Sequence, residues 1–270
     1  MSDHAVTRGP LTRGPLTRVA VLIPTYNERD NLPLVVRRLR AAVPRVDVVI
    51  LDDNSPDGTG AIADALAADD NQVHVIHRPV KAGLGRAYLA GFDWAIEHDY
   101  DAVVEMDADG SHQPEELHRL LAAAEDADVV IGSRYVRGGS VVNWPLHRKA
   151  LSVGGNVYIR MLLGIPVNDS TAGYRVYRTS ALRVMGLGDV ASQGYCFQVD
   201  LTWRAIRKDL VVAEVPIEFV ERTAGDSKMS RDVVRESLRR ITTWGVGHRA
   251  GQVRALAGRV THREPRWHRL

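Results

Sequence analysis

Two carboxylates separated by one residue are the strongest chemical signal in the sequence. Asp107 and Asp109 follow the apolar run 102–106, and Pro114 marks the start of the next predicted helix. Carboxylate oxygens at this spacing are ligands that Mg²⁺ and Mn²⁺ prefer, and a diphosphate could complete the coordination of the metal. A D-x-D pattern is common by chance. Its position after an apolar strand is therefore what predicts a metal site here.

A second polar cluster follows the first apolar run of the chain. An aromatic ring and a carboxylate in this cluster could bind a nucleotide. A helix start, with Asn31 and Pro33 as its signals, explains the same residues equally well. The cluster consists of Pro24, Thr25, Tyr26, Asn27 and Glu28.

Adjacent carboxylates follow the second apolar run. A turn and a helix cap explain the segment Ser55 to Thr59, but they do not explain Asp52 and Asp53. Neighbouring carboxylates at a buried strand end repel each other unless hydroxyls, N–H groups or a metal bind them. This pair is therefore predicted to bind part of a nucleotide.

Several basic residues lie where loops would leave the same edge of a sheet. Each one alone is typical of an ordinary surface cation, but together they could bind a diphosphate or a second phosphate. We expect His112 to support the aspartates and Cys196 to be a small buried residue. The basic candidates are Lys81, Arg134, Arg148, Arg175, Arg222 and Lys228.

Alternating strands and helices would position these side chains. Apolar, β-branched runs predict buried parallel strands, and segments with apolar residues at helical spacing lie between them. This alternation predicts an α/β fold, a doubly wound sheet whose ligand crevice lies at the carboxyl ends of the strands. A further run, 211–220, contains Pro216 and predicts an edge strand, and residues 231–246 predict a closing helix. The strand runs are 19–23, 46–51, 73–76, 102–106 and 129–131.

Composition and charge limit the class of protein. The 270 residues carry a net charge of +2, which argues against a nucleic-acid-coating protein, and the single cysteine excludes an internal disulfide. No apolar run approaches the length of about 20 residues that a membrane-spanning helix needs. We predict a flexible leader at 1–17, one domain at 18–247 and a basic, disordered tail at 248–270, although this tail could also rest on anionic lipid.

Six motifs in order resemble family 2 glycosyltransferases of the GT-A fold, which have a Rossmann-like, mainly parallel sheet with helices on both faces. More narrowly, they resemble the dolichol-phosphate and polyprenol-phosphate mannose synthases, including the mycobacterial type. The resemblance covers roughly residues 19–230. The motifs are PTYNE at 24–28, DDNSPDGT at 52–59, KAGLG at 81–85, DADGSH at 107–112, GSRY at 132–135 and DSTAGYR at 169–175.

The resemblance implies an inverting transfer of mannose from GDP-mannose to a polyprenyl phosphate, with Mg²⁺ or Mn²⁺ as cofactor. Relatives carry Gln two residues after the second aspartate, where this chain has Ser111, which we keep as a candidate metal ligand. By similarity, the guanosine would contact Pro24, Tyr26, Glu28 and Asp52 or Asp53, and the metal and diphosphate would contact Asp107, Ala108 and Asp109. The acceptor phosphate or mannose would contact Arg134, Arg148 and Ser152. The donor would also be bound by Lys81, Arg222 and Lys228.

A lipid acceptor requires contact with a membrane. We expect a cytoplasmic enzyme, peripheral on the inner face of the plasma membrane, with a separate integral-membrane partner as an alternative means of attachment. The segment 135–163 is the predicted docking surface, although an ordinary core-facing helix would explain it as well. The proposed docking residues are Val141, Val142, Trp144, Tyr158, Met161 and Leu162.

Other enzymes and nucleotide-sugar-binding proteins would have similar sequence motifs. A sugar nucleotidyltransferase would need a Gly-rich basic loop directly after the first strand, and a processive synthase would need a Q-x-x-R-W motif. Neither pattern is present. A glucosyltransferase that uses UDP-glucose and a non-catalytic regulator that binds a nucleotide sugar remain alternatives.

Overall fold

A computed structural model describes residues 11, 13–190, 195–221, 238–247 and 249. The strands are β1 (Val19–Thr25), β2 (Asp47–Asp52), β3 (Val73–His77), β4 (Ala102–Glu105), β5 (Val129–Ser133), β6 (Ser140–Val142), β7 (Arg175–Arg178), β8 (Val212–Pro216) and β9 (Glu218–Val220). The helices are α1 (Leu32–Ala42), α2 (Thr59–Asp69), α3 (Leu84–Glu97), α4 (Leu117–Ala123), α5 (Leu146–Leu163), α6 (Thr179–Met185) and α7 (Tyr195–Arg207).

Seven strands form the central sheet in the order β3-β2-β1-β4-β7-β5-β8. All neighbouring strands are parallel except β7, which runs antiparallel between β4 and β5. The predicted mainly parallel, doubly wound fold is confirmed. The sequence did not predict β7, because its run RVYR contains two arginines that are buried in the structure.

Helices cover both faces of the sheet. Alternate residues of each strand point to opposite faces, so Val21 and Ile23 pack with α1, α2 and α4, whereas Leu22 packs with α3, α6 and α7. A third cluster joins α5 to α7 and to Ile241 of the helical segment 238–247. The sheet is therefore buried on both sides, which explains its continuous apolar runs.

The predicted edge strand is present but divided. β8 is the last strand of the main sheet, and after Pro216 the chain pairs as β9 with β6 in a second, two-stranded sheet. α5 lies within the segment 135–163, for which the sequence favoured a docking surface or an ordinary core-facing helix. Of the predicted closing helix, 238–246 is helical and the rest lies outside the described residues. Within the described ranges, no helix has the length and hydropathy needed to cross a membrane.

Part of the predicted leader is bound to the domain. Arg13 donates two hydrogen bonds to the buried carboxylate of Asp128, at 3.0 and 2.7 Å, and Leu16 belongs to the core. The Gly14 carbonyl accepts a hydrogen bond from Arg178. The packed domain therefore begins earlier than residue 18, at least as far as Arg13. The remaining domain limits stay predictions, because most of 1–12 and 248–270 lies outside the described residues.

Replacing Arg13 with alanine is expected to destabilise the fold. Within the described part of the chain, the Val211 N–H would be the one remaining donor to Asp128. A buried carboxylate that has lost its ion-pair partner typically costs about 1–3 kcal/mol. Urea denaturation should show this loss in the free energy of unfolding. Arg45→Ala, at an exposed position, is the control and should change it by less than about 0.5 kcal/mol. Equal stabilities of the two variants would contradict attachment of the leader.

Candidate active site

The predicted polar clusters meet at one edge of the sheet. Thr25 at the end of β1 is in register with Asp52 at the end of β2, and the Met106 N–H bonds the Leu22 carbonyl beside β4. The loops after β1 and β2 each contain an asparagine in the left-handed region, Asn27 (φ 60°) and Asn54 (φ 56°). These are backbone conformations that asparagine tolerates better than most residues. The loops after these strands therefore leave the same edge of the sheet, as the sequence predicted.

Asp107 and Asp109 lie in the loop that leaves β4. The Asp107 side chain is 35% exposed, and one of its carboxylate oxygens lies 3.4 Å from the Tyr88 hydroxyl. The Ser111 N–H donates to Asp109 Oδ1 at 3.0 Å. These contacts orient the two carboxylates at the mouth of the crevice, and the side chain of Asp107 remains accessible from solvent.

His112 supports the loop from behind. Its ring is buried and stacks on Tyr174, with ring centroids 5.0 Å apart. Its Nδ1 accepts the Asp107 N–H at 3.1 Å, so the ring proton is on Nε2, which faces Asp107 Oδ2 at 4.0 Å. His112 therefore contacts both the backbone and the carboxylate of Asp107.

A divalent cation fits this pair of aspartates. Carboxylate oxygens are its preferred ligands, and no group of three His, Cys, Asp or Glu residues suited to a metal occurs among the described residues. Mg²⁺ is commonly held by one or two carboxylates together with substrate phosphates and water. The aspartate pair therefore suits a metal that arrives with, or is completed by, a diphosphate.

Ser111 and Ala108 are buried between the two carboxylates and the sheet. Ser111 contributes backbone groups: its N–H bonds Asp109 and its carbonyl accepts the Val220 N–H. Direct binding of the metal by the Ser111 hydroxyl stays a prediction.

The adjacent carboxylates after β2 already have partners within the protein. Asp53 is paired with Arg78, and Asp52 accepts hydrogen bonds from the hydroxyls of Ser55 and Thr25. Burial raises the pKa of Asp53, and Asp52 raises it further, against the opposing charge of Arg78. The premise that the pair requires an external ligand was therefore wrong. Their role in binding a nucleotide stays a prediction.

Lys81 and Tyr26 lie together in the loops that follow β3 and β1. The exposed Lys81 ammonium lies 3.6 Å from the centroid of the half-buried Tyr26 ring. Glu28 accepts a hydrogen bond from Asn31 at the entry to α1, while Pro24 is half-buried near the end of β1. Glu28 thus has the helix-entry contact that was the alternative to nucleotide binding.

Arg134 forms a buried ion pair that the sequence did not predict. Its Nε and Nη2 donate to the two oxygens of Asp169 at 2.7 and 2.6 Å. Burial alone would raise the pKa of Asp169, but the Arg134 guanidinium outweighs burial and holds that pKa below its usual value. Around the same guanidinium, the ring centroids of Tyr135, Trp144 and Phe219 lie 5.2–5.5 Å away.

Arg148 and Ser152 lie on the face of α5 that is turned toward this ion pair. The guanidinium of Arg148 lies 4.2 Å from the Trp144 ring centroid and is paired with Glu221 at 2.5 Å. The Tyr135 hydroxyl donates to Ser152 Oγ at 2.7 Å. The structure therefore brings Arg134, Arg148 and Ser152 together, with Trp144 between the two arginines.

Asn156 and Glu214 hold the loop that carries Asp169. The Asn156 amide donates to Thr171 Oγ1 and accepts the Ser170 N–H. Glu214 accepts hydrogen bonds from the N–H groups of Asn168 and Asp169. These two residues lie far apart in sequence from Arg134, and no local pattern indicated them.

Arg175 is not a phosphate ligand. It is fully buried, and its guanidinium donates to the carbonyls of Ala172, Ser170 and Gln198 and to the hydroxyls of Tyr177 and Thr202. This expectation was wrong because the guanidinium is fully engaged within the core. Arg222 and Lys228 lie outside the described residues, so their role as donor ligands stays a prediction.

Most of the predicted docking residues are only partly exposed. Val141 and Val142 pair in β6, and Trp144 packs on Arg134 and Arg148. Tyr158 and Leu162 pack against the cluster that joins α5 to α7, so of the predicted set only Met161 is strongly exposed. The choice was wrong because aromatic and apolar residues in this segment face the site and the neighbouring helices.

Glu105 lies at the end of β4, beneath the aspartates. It is fully buried, and no described residue makes a hydrogen bond of acceptable geometry to either carboxylate oxygen. Burial raises its pKa from 4.5 to about 8, against the opposing charge of Arg175. Between these two values the folded chain binds more protons than the unfolded chain, so this group lowers stability as the pH rises.

Replacing Glu105 with glutamine should therefore stabilise the chain at high pH. Glutamine resembles the protonated acid, so the two proteins should be similar near pH 5, whereas the variant should gain roughly 3–5 kcal/mol by pH 8. The measurement is the free energy of unfolding at both pH values with chelator present. A difference that does not change with pH would show that Glu105 ionises normally.

Comparison with known proteins identifies the family of this chain. The sequence model of "Glycosyl transferase family 2" matches residues 20–186. The chain belongs to glycosyl transferase family 2. This family 2 chain is 56% identical over 241 residues to the polyprenol monophosphomannose synthase of Mycolicibacterium smegmatis, covering 88% of this chain and 91% of that protein. It is 55% identical to the undecaprenyl-phosphate mannosyltransferase of Micrococcus luteus, covering 89% and 99%.

Solved structures support the GT-A fold. Glucosyl-3-phosphoglycerate synthase from Mycobacterium tuberculosis, in complex with Mn²⁺, UDP-glucose and phosphoglyceric acid, matches with a TM-score of 0.59 and 20% identity, over 85% of this chain and 80% of that chain. Its complex with UDP matches with a TM-score of 0.60 and 18% identity, over 87% and 79%. At such identity the likeness concerns the fold alone.

Proposed function

We propose that this chain is an inverting mannosyltransferase that moves mannose from GDP-mannose to a polyprenyl phosphate. One observation carries the proposal: the Phe219 ring lies 5.6 Å from the ring of His112, behind the carboxylate pair suited to a metal and a diphosphate, and 5.5 Å from the guanidinium of Arg134, one of two arginines suited to a second phosphate. The relatives named above act on polyprenol and undecaprenyl phosphates, which supports a lipid phosphate as the acceptor. Their names also support mannose as the transferred sugar.

Asp107 and Asp109 would hold a divalent metal together with the donor diphosphate. When bound, Mg²⁺ or Mn²⁺ would act as a Lewis acid that stabilises the charge developing on the departing diphosphate. A structural neighbour that contains Mn²⁺ with UDP-glucose supports a metal of this kind. His112 would hold Asp107 in position, while Tyr26 and Lys81 would contact the nucleotide.

The acceptor phosphate would bind between Arg134 and Arg148. Arg134 is oriented by its ion pair with Asp169, and Arg148 is oriented by Trp144 and Glu221. The Trp144 indole N–H is buried and has no hydrogen-bond partner among the described residues. Because an unpaired buried donor is unfavourable, this N–H is suited to donate to a phosphate oxygen of the acceptor.

The acceptor needs no general base. The second pKa of a phosphate monoester is about 6, so the acceptor is largely a dianion at neutral pH and can attack the anomeric carbon directly. The residues of the site then have to hold two anions near each other, which Arg134 and Arg148 would do for the attacking phosphate. Attack from the face opposite the leaving diphosphate inverts the anomeric centre.

Labelled donors test this function directly. Purified protein would be incubated with Mg²⁺, polyprenyl phosphate and either GDP-mannose or UDP-glucose carrying a labelled sugar. We expect organic-extractable label from GDP-mannose only. Label from UDP-glucose would indicate a glucosyltransferase, pyrophosphate-dependent release of GTP would indicate a nucleotidyltransferase, and binding without product would indicate a regulator.

We further propose that the enzyme acts from the cytoplasm, at the inner face of the plasma membrane. The isoprenoid tail of the acceptor remains in the bilayer, so the crevice must approach the membrane surface. Attachment could be direct or through a separate integral-membrane protein.

A further inference from the structure

The two sides of α5 differ in a way that is unusual for a surface helix. One side carries Arg148, Ser152 and Asn156, at spacings of four residues, and faces the site. The opposite side is exposed and apolar. It consists of Leu146, Ala150, Val153, Val157 and Met161, at helical spacings of three or four residues, and we call it the outer strip.

The outer strip is open to solvent in the described part of the chain. Leu146 is 85% exposed and Met161 is 72% exposed, while Val153 and Val157 are more than one-third exposed. A surface helix normally turns its polar face outward. Here Arg148, Ser152 and Asn156 point toward the site, and the apolar residues of the outer strip point away from the protein.

The charges beside the outer strip favour an anionic binding partner. α5 contains no acidic residue, and the exposed side chains of Lys149 and Arg160 lie beside the strip. An apolar face bordered by cations matches an anionic bilayer surface, where the apolar groups enter the acyl region and the cations meet the headgroups. A protein surface of net positive charge would be repelled by the same cations.

We propose that the outer strip of α5 docks the enzyme directly on an anionic lipid bilayer. The proposal rests on the proposed function, because a lipid-linked acceptor gives the enzyme a reason to lie on a membrane. The same helix would then contact the bilayer on one side and the acceptor phosphate on the other. Docking would thereby bring Arg148 and Ser152 to the depth at which the phosphate leaves the bilayer.

Vesicle sedimentation of the full chain tests this docking. We expect the protein to sediment with phosphatidylcholine vesicles that contain phosphatidylglycerol, and much less with phosphatidylcholine alone. The double variant Val153→Glu/Val157→Glu should weaken partitioning by at least about thirtyfold, since it removes apolar contact and adds repulsion. The single variant Val157→Glu should be intermediate.

Matched controls come from α1. Leu34, which is 49% exposed, serves as the control for the apolar variants, and Leu34→Glu should leave partitioning unchanged. Lys149→Gln/Arg160→Gln should weaken binding about tenfold at low salt and less at high salt, because salt screens the attraction. Arg37→Gln/Arg45→Gln, at exposed positions elsewhere, should have little effect.

Three results would overturn the docking proposal. In the first, the Val153→Glu/Val157→Glu variant binds vesicles as well as the wild type does. In the second, the wild type fails to bind protein-free vesicles. In the third, the wild type is a dimer and this variant is a monomer. The last two would point to a membrane protein partner and to a second copy of the chain, respectively. Transfer to a water-soluble, short-chain polyprenyl phosphate separates the outcomes: if it persists in the double variant, the catalytic function stands even where docking fails.

Discussion

Replacing Asp109 with asparagine should lower kcat for mannosyl transfer by about two to three orders of magnitude, because the variant weakens the site that neutralises the departing diphosphate. Asparagine keeps the shape of the side chain and can still accept the Ser111 N–H, so the loop should remain folded. Initial rates at saturating GDP-mannose and acceptor measure the effect, and unfolding curves check the fold.

Asp126→Asn provides the control for this substitution. Asp126 is exposed in the loop after α4, and its replacement should leave the rate within about twofold of wild type. Raising the Mn²⁺ concentration should partly restore the Asp109→Asn variant, because a weakened metal site is filled by mass action. A variant that retained the wild-type rate at every metal concentration would exclude Asp109 from the metal site.

Replacing Asp169 with asparagine should be the most destabilising of the proposed substitutions. The change leaves the buried Arg134 guanidinium without its carboxylate, and breaking a buried pair in this way typically costs about 3–5 kcal/mol. The same change releases the orientation of Arg134, so KM for the acceptor should rise more than KM for GDP-mannose. Denaturation curves and separate titrations of the two substrates measure these effects.

A second Asp–Arg pair provides the control. Asp189 pairs with Arg204 at 2.7 Å, but the side chain of Asp189 is 80% exposed. Asp189→Asn should therefore change stability by no more than about 1 kcal/mol, since exposed ion pairs contribute little. If both variants lost the same stability, burial of the Arg134–Asp169 pair would not be the reason for its strength.

The parallel part of the sheet could be predicted because it obeys local rules. Strands such as β1 and β2 are buried on both faces, so their sequences are continuously apolar, and the polar residues at their ends mark the crevice. β7 escaped prediction because the buried side chain of Arg175 depends in part on the Gln198 carbonyl and the Thr202 hydroxyl, which are distant in sequence. A local pattern contains no trace of such partners.

Some residues of the candidate site could likewise be predicted from the sequence, and others could not. Asp107 and Asp109 could be found from their spacing and their position after β4. The ion pair of Arg134 with Asp169 and the bridging role of Asn156 depend on how α5 packs across the loop 168–171, which no spacing reveals. The same tertiary packing turns Trp144 toward the arginines and Val157 toward solvent, so hydropathy alone selected the wrong docking residues.

The most direct test of the central metal site measures mannosyl transfer in the presence of excess chelator. The proteins compared are the wild type and the Asp107→Ala/Asp109→Ala variant. Organic-extractable mannose should fall to background in the chelated wild type and recover when Mg²⁺ or Mn²⁺ is restored, while the double variant should stay at background throughout. Undiminished transfer by the double variant in excess chelator would contradict a catalytic metal held by these two aspartates.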